Sequence, residues 1–490
     1  MKVIDTLVYR SLLIADDQLL TARLFIKLIA IVYFIAFVSM SVQVTGLVGH
    51  QGILPYTELL ANIYHQYGFL GWFLQPTVFW FNSSDNALTL VTWAGCLLSV
   101  LLLFGYREKL ILALLFILYL SIFHAGQIFF AFQWDSLLLE AGFLSIFLVG
   151  GPSRLLIFLF HWLLFRLRFM SGLSKLASGD PSWLNLTALD YYFQTQPLPH
   201  IGSWYYQQLP MWIHHSGVVF MFITELIIPL FIFLPRKFRL TAAGVTVFMQ
   251  LLIISSSNHN WINILTIFLC LFLLDDRAVA YLLPANIIAR VKARAQRELG
   301  TYHKINKILP VFAVLIIVAS ITMFTPRLIR HDLPEPAMFA ARLVNAWGMG
   351  FDYHVFPTMQ TERQELQVEG SYDGKIWKAY EFRYKPGPLS EAPRWNVPHQ
   401  PRLDWMMWFV PPQFDSMMDW FWKFLDRLHE GSKDVTNLLA YNPFPARPPT
   451  YIRVLAFDYR FTTFAERKAT GNWWKAKYLG EFPYVKRRYP

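Results

Sequence analysis

Asp135 and Glu140 lie in the run QWDSLLLEAGFL, and Arg166 and Arg168 follow in WLLFRLRFM. All four sit in or beside stretches apolar enough to enter a lipid bilayer. An ionisable group in hydrocarbon costs at least about 2.5–3.5 kcal/mol on insertion scales. Acids and bases retained there are expected to pair, because a lone buried charge is the costlier state. Two roles fit such pairing. The pairs fix helix packing, or they line a polar cavity open to one face of the membrane. Glu225 and Gln250 belong to the same intramembrane polar cluster. Lys175 is the sole basic residue between positions 171 and 215. It serves as a base only if desolvation or a neighbouring cation strips its proton; otherwise it is a lysine snorkelling at a helix end. His124 is a second catalytic candidate. The HHS run at 214–216 and the NHN run at 258–260 lack a recognisable metal-ligand spacing, so no metal is expected. There is no phosphate loop, nucleotide fingerprint or nucleophile elbow, and no cofactor is expected.

The elements that must position these groups are membrane helices. The chain has 490 residues, 55% hydrophobic, with mean hydropathy +0.36. Charged residues make up 15%, against the roughly 25% of soluble domains. Nine apolar segments approach the roughly 20 residues needed to span: 23–44, 87–105, 109–131, 134–150, 153–170, 216–234, 238–256, 261–275 and 308–325. The fourth, fifth and eighth are short or charged and could be less than full spans. The formal charge of +11 follows from basic inner turns and a basic exposed region. Nucleic acid is not expected as a partner, because no basic, aromatic-interleaved motif occurs. Cys96 and Cys270 both fall in apolar runs, so no disulfide framework is available, which fits a bacterial protein better than a secretory-pathway one. Residues 1–22 are mixed and polar and do not read as a cleavable signal peptide.

Short-loop charges orient the array. Lys2, Arg10, Arg23 and Lys27 mark the N-terminal side, while positions 45–86 hold no Lys or Arg. Arg107, Lys109, Arg154, Arg236, Lys237 and Arg239 recur at every second turn, and 276–307 is rich in both types. This places residues 1–22 in the cytosol, 23–325 in the membrane with external loops 45–86 and 171–215, and 326–490 outside. At 1.5 Å per residue, Glu140 lies about 9 Å below the outer boundary, Arg166 about 6 Å, His124 about 10 Å, Glu225 about 13 Å and Gln250 about 9 Å. Glu140 with Arg166 is the best match in depth.

Residues 326–490 read as a separate, mixed and β-rich soluble domain. ELQVEGSYDGKIWKAYEFRY carries a hairpin signal at Asp373-Gly374, and YIRVLAFDYRFT reads as another strand. Phe414, Met417, Met418, Phe421, Phe424, Leu425 and Leu428 fall at helical spacing. The fold expected is thus a polytopic α-helical membrane bundle of about nine segments followed by this domain.

FQWDSLLLEAGFL, WLLFRLRFMSGLSKLASGDPSWLNLTALDYYFQTQPLP, EGSYDGKIWKAYEFRYKPG, PHQPRLDWMMWF and NPFPARPPTYIR resemble the lipase maturation factor family over residues 120–490. Trp134, Gly172, Asp180, Pro181, Trp183, Asp404 and Trp405 stand in these motifs. The resemblance implies a polytopic protein with lumenal loops and a lumenal C-terminal domain. Animal members reside in the endoplasmic reticulum, are needed for secreted dimeric lipases to fold and assemble, and are regarded as maturation factors, not established enzymes. SGLSKL at 171–176, followed by Trp183, is also similar to a motif of the horizontally transferred transmembrane domain, which includes vitamin K-dependent gamma-carboxylase. There the motif lysine, matching Lys175, is the catalytic base; Ser171 replaces the motif alanine. Two functions are therefore carried forward. The first is a maturation factor in contact with membrane lipid and a secreted client, such as a lipase. It would lie in the bacterial inner membrane or the endoplasmic reticulum. The second is a membrane enzyme acting on a lipid-soluble substrate or cofactor in an outer-leaflet cavity with Lys175 as base.

Overall fold

A computed structural model describes residues 14–149, 151–281, 283–298, 308–412 and 419–483. Lys2, Arg10, Lys304, Lys307, Phe414, Met417 and Met418 lie outside the described residues.

Seven described helices are long and apolar enough to cross a membrane. They are α1 (Leu19–Ser41), α2 (Asp85–Phe104), α3 (Glu108–Ala125), α5 (Arg154–Ser178), α6 (Met211–Phe222, continued by turns to Phe233), α7 (Arg236–Ser256) and α9 (Leu309–Ile329). The two remaining expected segments are shorter: α4 (Gln133–Ile146), and α8 (Ile262–Leu269) with its 3₁₀ extension Cys270–Leu273. At 1.5 Å per residue α4 is about 21 Å long, less than the roughly 30 Å hydrocarbon core. Both nevertheless traverse the bundle. Asp135 of α4 meets the C-terminal region, while Pro152, just beyond α4, accepts a hydrogen bond from Ala15 N–H at 2.9 Å. Asn260, ahead of α8, bonds Gln400, while Leu274 accepts from Gln18 at 2.6 Å. Leu137, Leu138, Leu139, Ala141 and Leu144 of α4 are wholly enclosed, so protein, not lipid, surrounds the short helix.

Surfaces that face away from the bundle are as apolar as those inside. On α9, Val311, Val314, Val318 and Ile321 form an exposed stripe at intervals of three and four, and Leu309, Ala313, Ile316, Ser320 and Phe324 are buried. A stripe of this kind belongs in lipid, since in water it would need a covering partner.

Local chemistry sets the helix ends. The Ser153 hydroxyl caps α5 by accepting from Leu156 N–H at 3.2 Å, and Gly179 stops it at φ +70°. The expected boundary at 170 is therefore too early: nothing between 170 and 179 breaks the helix, so Gly172 and Lys175 belong to its last turns, not to an external loop. α3 ends at Ala125 instead of 131, which moves His124 from mid-leaflet depth to the helix end.

The C-terminal region holds an antiparallel sheet in the order β2-β1-β3-β4, with β1 Arg363–Ser371, β2 Lys378–Ala379, β3 Tyr451–Phe461 and β4 Trp474–Glu481. Helix α10 (Glu335–Ala346) leads into it, and α11 (Arg402–Met407) and α12 (Asp419–Glu430) pack beside it. Phe421, Phe424 and Leu428 are buried. Leu366, Val368, Trp405 and Phe424 share one continuous hydrophobic core with the helices of the bundle. The bundle thus has a sheet end and an opposite end.

Close approach of α4 to α1 depends on Gly142. A Cβ there would lie 1.8 Å from the Tyr33 hydroxyl oxygen. Gly142→Ala is expected to destabilise the protein by about 1–3 kcal/mol through overpacking, read as a lower melting temperature in detergent. Tyr33→Phe in the same chain removes the nearest atom and should restore part of the loss. An unchanged melting temperature for the single variant would mean that the two helices separate freely.

Candidate functional site

Where the motif residues gather, the sheet end of the bundle, three polar clusters tie the C-terminal region to the helices. The first joins Asp135 to Arg402. The guanidinium donates to both carboxylate oxygens, at 2.6 and 2.7 Å, and both side chains are fully buried. Tyr119 donates its hydroxyl to Asp135 at 2.6 Å, and Arg402 also donates to Phe129 O at 2.7 Å. Its guanidinium lies 3.6 Å from the Phe130 ring centroid. Around it, Gln43 accepts from Arg402 N–H and donates to Gln400 O, and Asn260 donates to the Gln400 side chain. Ser39 and His399 share a hydrogen bond of 2.9 Å. Burial pulls His259 and His399 down to about 4, so both rings are neutral at pH 7 and no second cation opposes Arg402. Trp134 meets Trp405 edge to face at 5.0 Å. Asp404 turns the other way and accepts N–H bonds from Tyr384 and Lys385, yet burial, the dominant influence, holds its carboxyl above the usual range.

The second cluster brings Glu140 and Arg166 together as an enclosed ion pair. Arg166 donates further to Phe351 O at 2.8 Å and lies beside the Tyr353 ring.

The third is built on Lys175. Its ammonium donates to Glu225 Oε2 at 2.8 Å, Val355 O at 2.9 Å and Ser171 O at 3.4 Å, and lies 5.3 Å from the Trp183 ring. The side chain is 4% exposed, so it does not snorkel. An ammonium has three N–H groups, and here each has an acceptor. Glu225 sits on a π-turn, Ile223–Ile227, and also pairs with Arg168 at 3.6 Å. Gly172 makes the approach possible: a Cβ there would fall 2.7 Å from Glu225 Cβ. Asp180 caps the short helix Pro181–Leu184, which carries Pro181 in its first turn, and accepts from Met359 N–H at 2.9 Å.

Two expected members stand apart. The His124 ring bonds Ala346 O at 2.8 Å. Gln250 is buried, and among the described residues its amide nitrogen meets no partner. The HHS histidines His214 and His215 flank Asp190 at 3.0 and 3.1 Å, and no group of metal-ligating residues occurs among the described residues. Sequence reasoning missed Tyr119, Arg402 and the strap Phe351–Met359. The available signal for Arg402 was its place inside PHQPRLDW.

Breaking a buried ion pair by removing one partner typically costs about 3–5 kcal/mol. Asp135→Asn and Arg402→Met are each expected to lose this much in thermal unfolding. The double variant Asp135→Leu/Arg402→Met should lose less than either, because no charge is stranded. Simple addition of the two single losses would count against the pair.

Comparison with known proteins agrees in extent with this two-part site. Residues 20–281 match the family model described as the lipase maturation factor transmembrane domain, and residues 350–484 match the lipase maturation factor C-terminal domain. Lipase maturation factor 2 of Xenopus tropicalis is 31% identical, over 95% of this chain and 82% of that protein. The human lipase maturation factor 2 is 31% identical, over 94% and 82%. Lipase maturation factor 1 of Mus musculus is 30% identical, over 94% and 86%. No solved structure matches. Both the membrane bundle and the sheet that it grips are thus shared with these proteins, and the chain belongs to the lipase maturation factor family.

Proposed function

We propose that this protein is a maturation factor whose sheet end holds secreted client proteins while they fold and assemble. One observation carries the reading. Among the described residues, Asp135, Arg166 and Lys175 each bond the C-terminal region to the bundle, and Glu140 pairs with Arg166. That makes a stiff platform, with the Lys175 nitrogen set against Glu225, Val355 O and Ser171 O. The names of the relatives point to a lipase as client. The side follows from charge. Arg107, Lys109, Arg154, Arg236, Lys237 and Arg239 lie toward the opposite end, and 45–86 at the sheet end has no Lys or Arg. By the positive-inside rule the sheet end faces the periplasm or lumen.

Deleting the gene in a cell that secretes a lipase should leave the lipase synthesised but inactive, and the wild-type gene should restore it. Lys175→Arg and Lys175→Met separate scaffold from catalysis. In a scaffold, residual lipase activity tracks the amount of folded variant in the membrane. A variant folded at the wild-type level without function would overturn the reading in favour of an enzyme.

Orientation is checked with reporter fusions after residues 20, 300 and 490. The expected signals are cytosolic, cytosolic and extracytoplasmic. A cytosolic signal at 490 would reverse the assignment.

A further inference from the structure

Residues 68–81 pack beside the last turns of α3. Val78 N–H donates to the Ser121 hydroxyl at 3.0 Å, and Gln75 donates to His124 O at 3.4 Å. Ser121 lies four residues before the end of α3, so Val78 sits about 6 Å below that end. The segment folds as a 3₁₀ turn Gly68–Leu70, a short helix Gly71–Leu74 and a second turn Val78–Trp80. Trp72 and Trp80 stack at 5.4 Å and stiffen it. From this scaffold Phe69, Leu70, Phe73 and Phe81 point outward, 76%, 52%, 60% and 82% exposed.

Lipid suits this surface. It carries no Lys or Arg, and α2, which follows it in the chain, also exposes Leu90, Trp93 and Leu97 by more than half. Polar groups in hydrocarbon must be satisfied internally; four of those in this segment are, while the buried Trp72 indole N–H has no partner among the described residues. Gln75 N–H donates to Gly71 O, Phe81 N–H to Val78 O, Phe79 N–H to the Thr77 hydroxyl and the Trp80 indole to Gln75 O. The polar run Asn82-Ser-Ser-Asp-Asn begins directly after Phe81, as a return to the headgroups requires. We infer that residues 68–81 form a re-entrant foot in the lipid leaflet at the sheet end, with Phe69, Leu70, Phe73 and Phe81 among the acyl chains. The inference does not depend on the client or on which compartment that leaflet faces.

The full-length wild-type protein in phosphatidylcholine nanodiscs tests it. With a lipid bearing an acyl-chain diazirine, photolysis should give adducts on the peptide containing residues 69–81 at a yield similar to that on 90–104. Adducts confined to the long helices, with hydroxyl-radical oxidation of Phe69 and Phe73, would overturn the inference. A second measurement uses a Cys96→Ala/Cys270→Ala background with single spin labels introduced as Phe73→Cys, Leu97→Cys and Lys378→Cys. Collision with oxygen over a nickel chelate should group position 73 with 97. Grouping with 378 would overturn it, as would shielding of position 73 from nickel only when a secreted protein is added, since protein would then be the occupant.

Discussion

A carboxylate and a guanidinium that are both wholly enclosed persist only as partners, and Asp135 with Arg402 sets the arrangement at the sheet end. The pair is bidentate, Tyr119 donates to the carboxylate, the guanidinium also donates to Phe129 O and lies on the Phe130 ring, and the Arg402 Nε–H has no partner among the described residues. Arg402 enters the mouth of the bundle on the segment PHQPRLDW. The same segment delivers Gln400 to Gln43 and Asn260, and Trp405 to Trp134. Helices α1, α4 and the start of α8 are therefore held at fixed spacing by a piece of chain that lies beyond the last membrane helix. A bilayer alone gives helices little reason to adopt one arrangement, since lipid tails are as apolar as leucine. Buried polar pairs supply that specificity here.

A second row of contacts runs along α5. Arg166, Ser171, Lys175 and Asp180 recur every four or five residues, roughly one helical turn apart. They hold Phe351, Val355 and Met359 in the same order. The strap is fastened by its backbone at these points and by side chains between them, Asp352 to Arg327 and Tyr353 beside Arg166. Glu225 neutralises Lys175 from the π-turn of α6, and Gly172 lets the two elements come close enough for this. Charge that looked available for proton transfer is spent on position, and the outcome is a sheet seated firmly on a membrane bundle, which suits a protein that presents a surface.

Much of this was legible in the residues. Hydropathy located the seven long apolar helices among the described residues, because lipid-facing and core-facing positions are both apolar; of the three segments flagged as short or charged, α4 and α8 are short, whereas the fifth, α5, runs 25 residues. Glu140 and Arg166 could be matched by depth because they lie on consecutive helices, whose register the turn between them fixes. Helix ends were less legible. The polar run SGLSK looked like loop because its serines and lysine face protein, not solvent, and only Gly179 breaks the helix. Arg402 could not be matched to Asp135, because no local spacing relates residues so distant in the chain. The C-terminal region read as separate because its prolines and charges resemble a water-soluble domain; the side chains that join it to the bundle are the scattered Leu366, Val368 and Trp405.

The central claim is that the sheet and the bundle form one cooperative body held by buried charge. Hydrogen–deuterium exchange on the full-length protein in nanodiscs, across a denaturant series, tests it most directly. Amides of β1 and β3, of the strap Phe351–Met359 and of the sheet ends of α4 and α5 should lose protection together, at one denaturant concentration. A sheet and strap that exchange freely while the ends of α4 and α5 stay protected would contradict it.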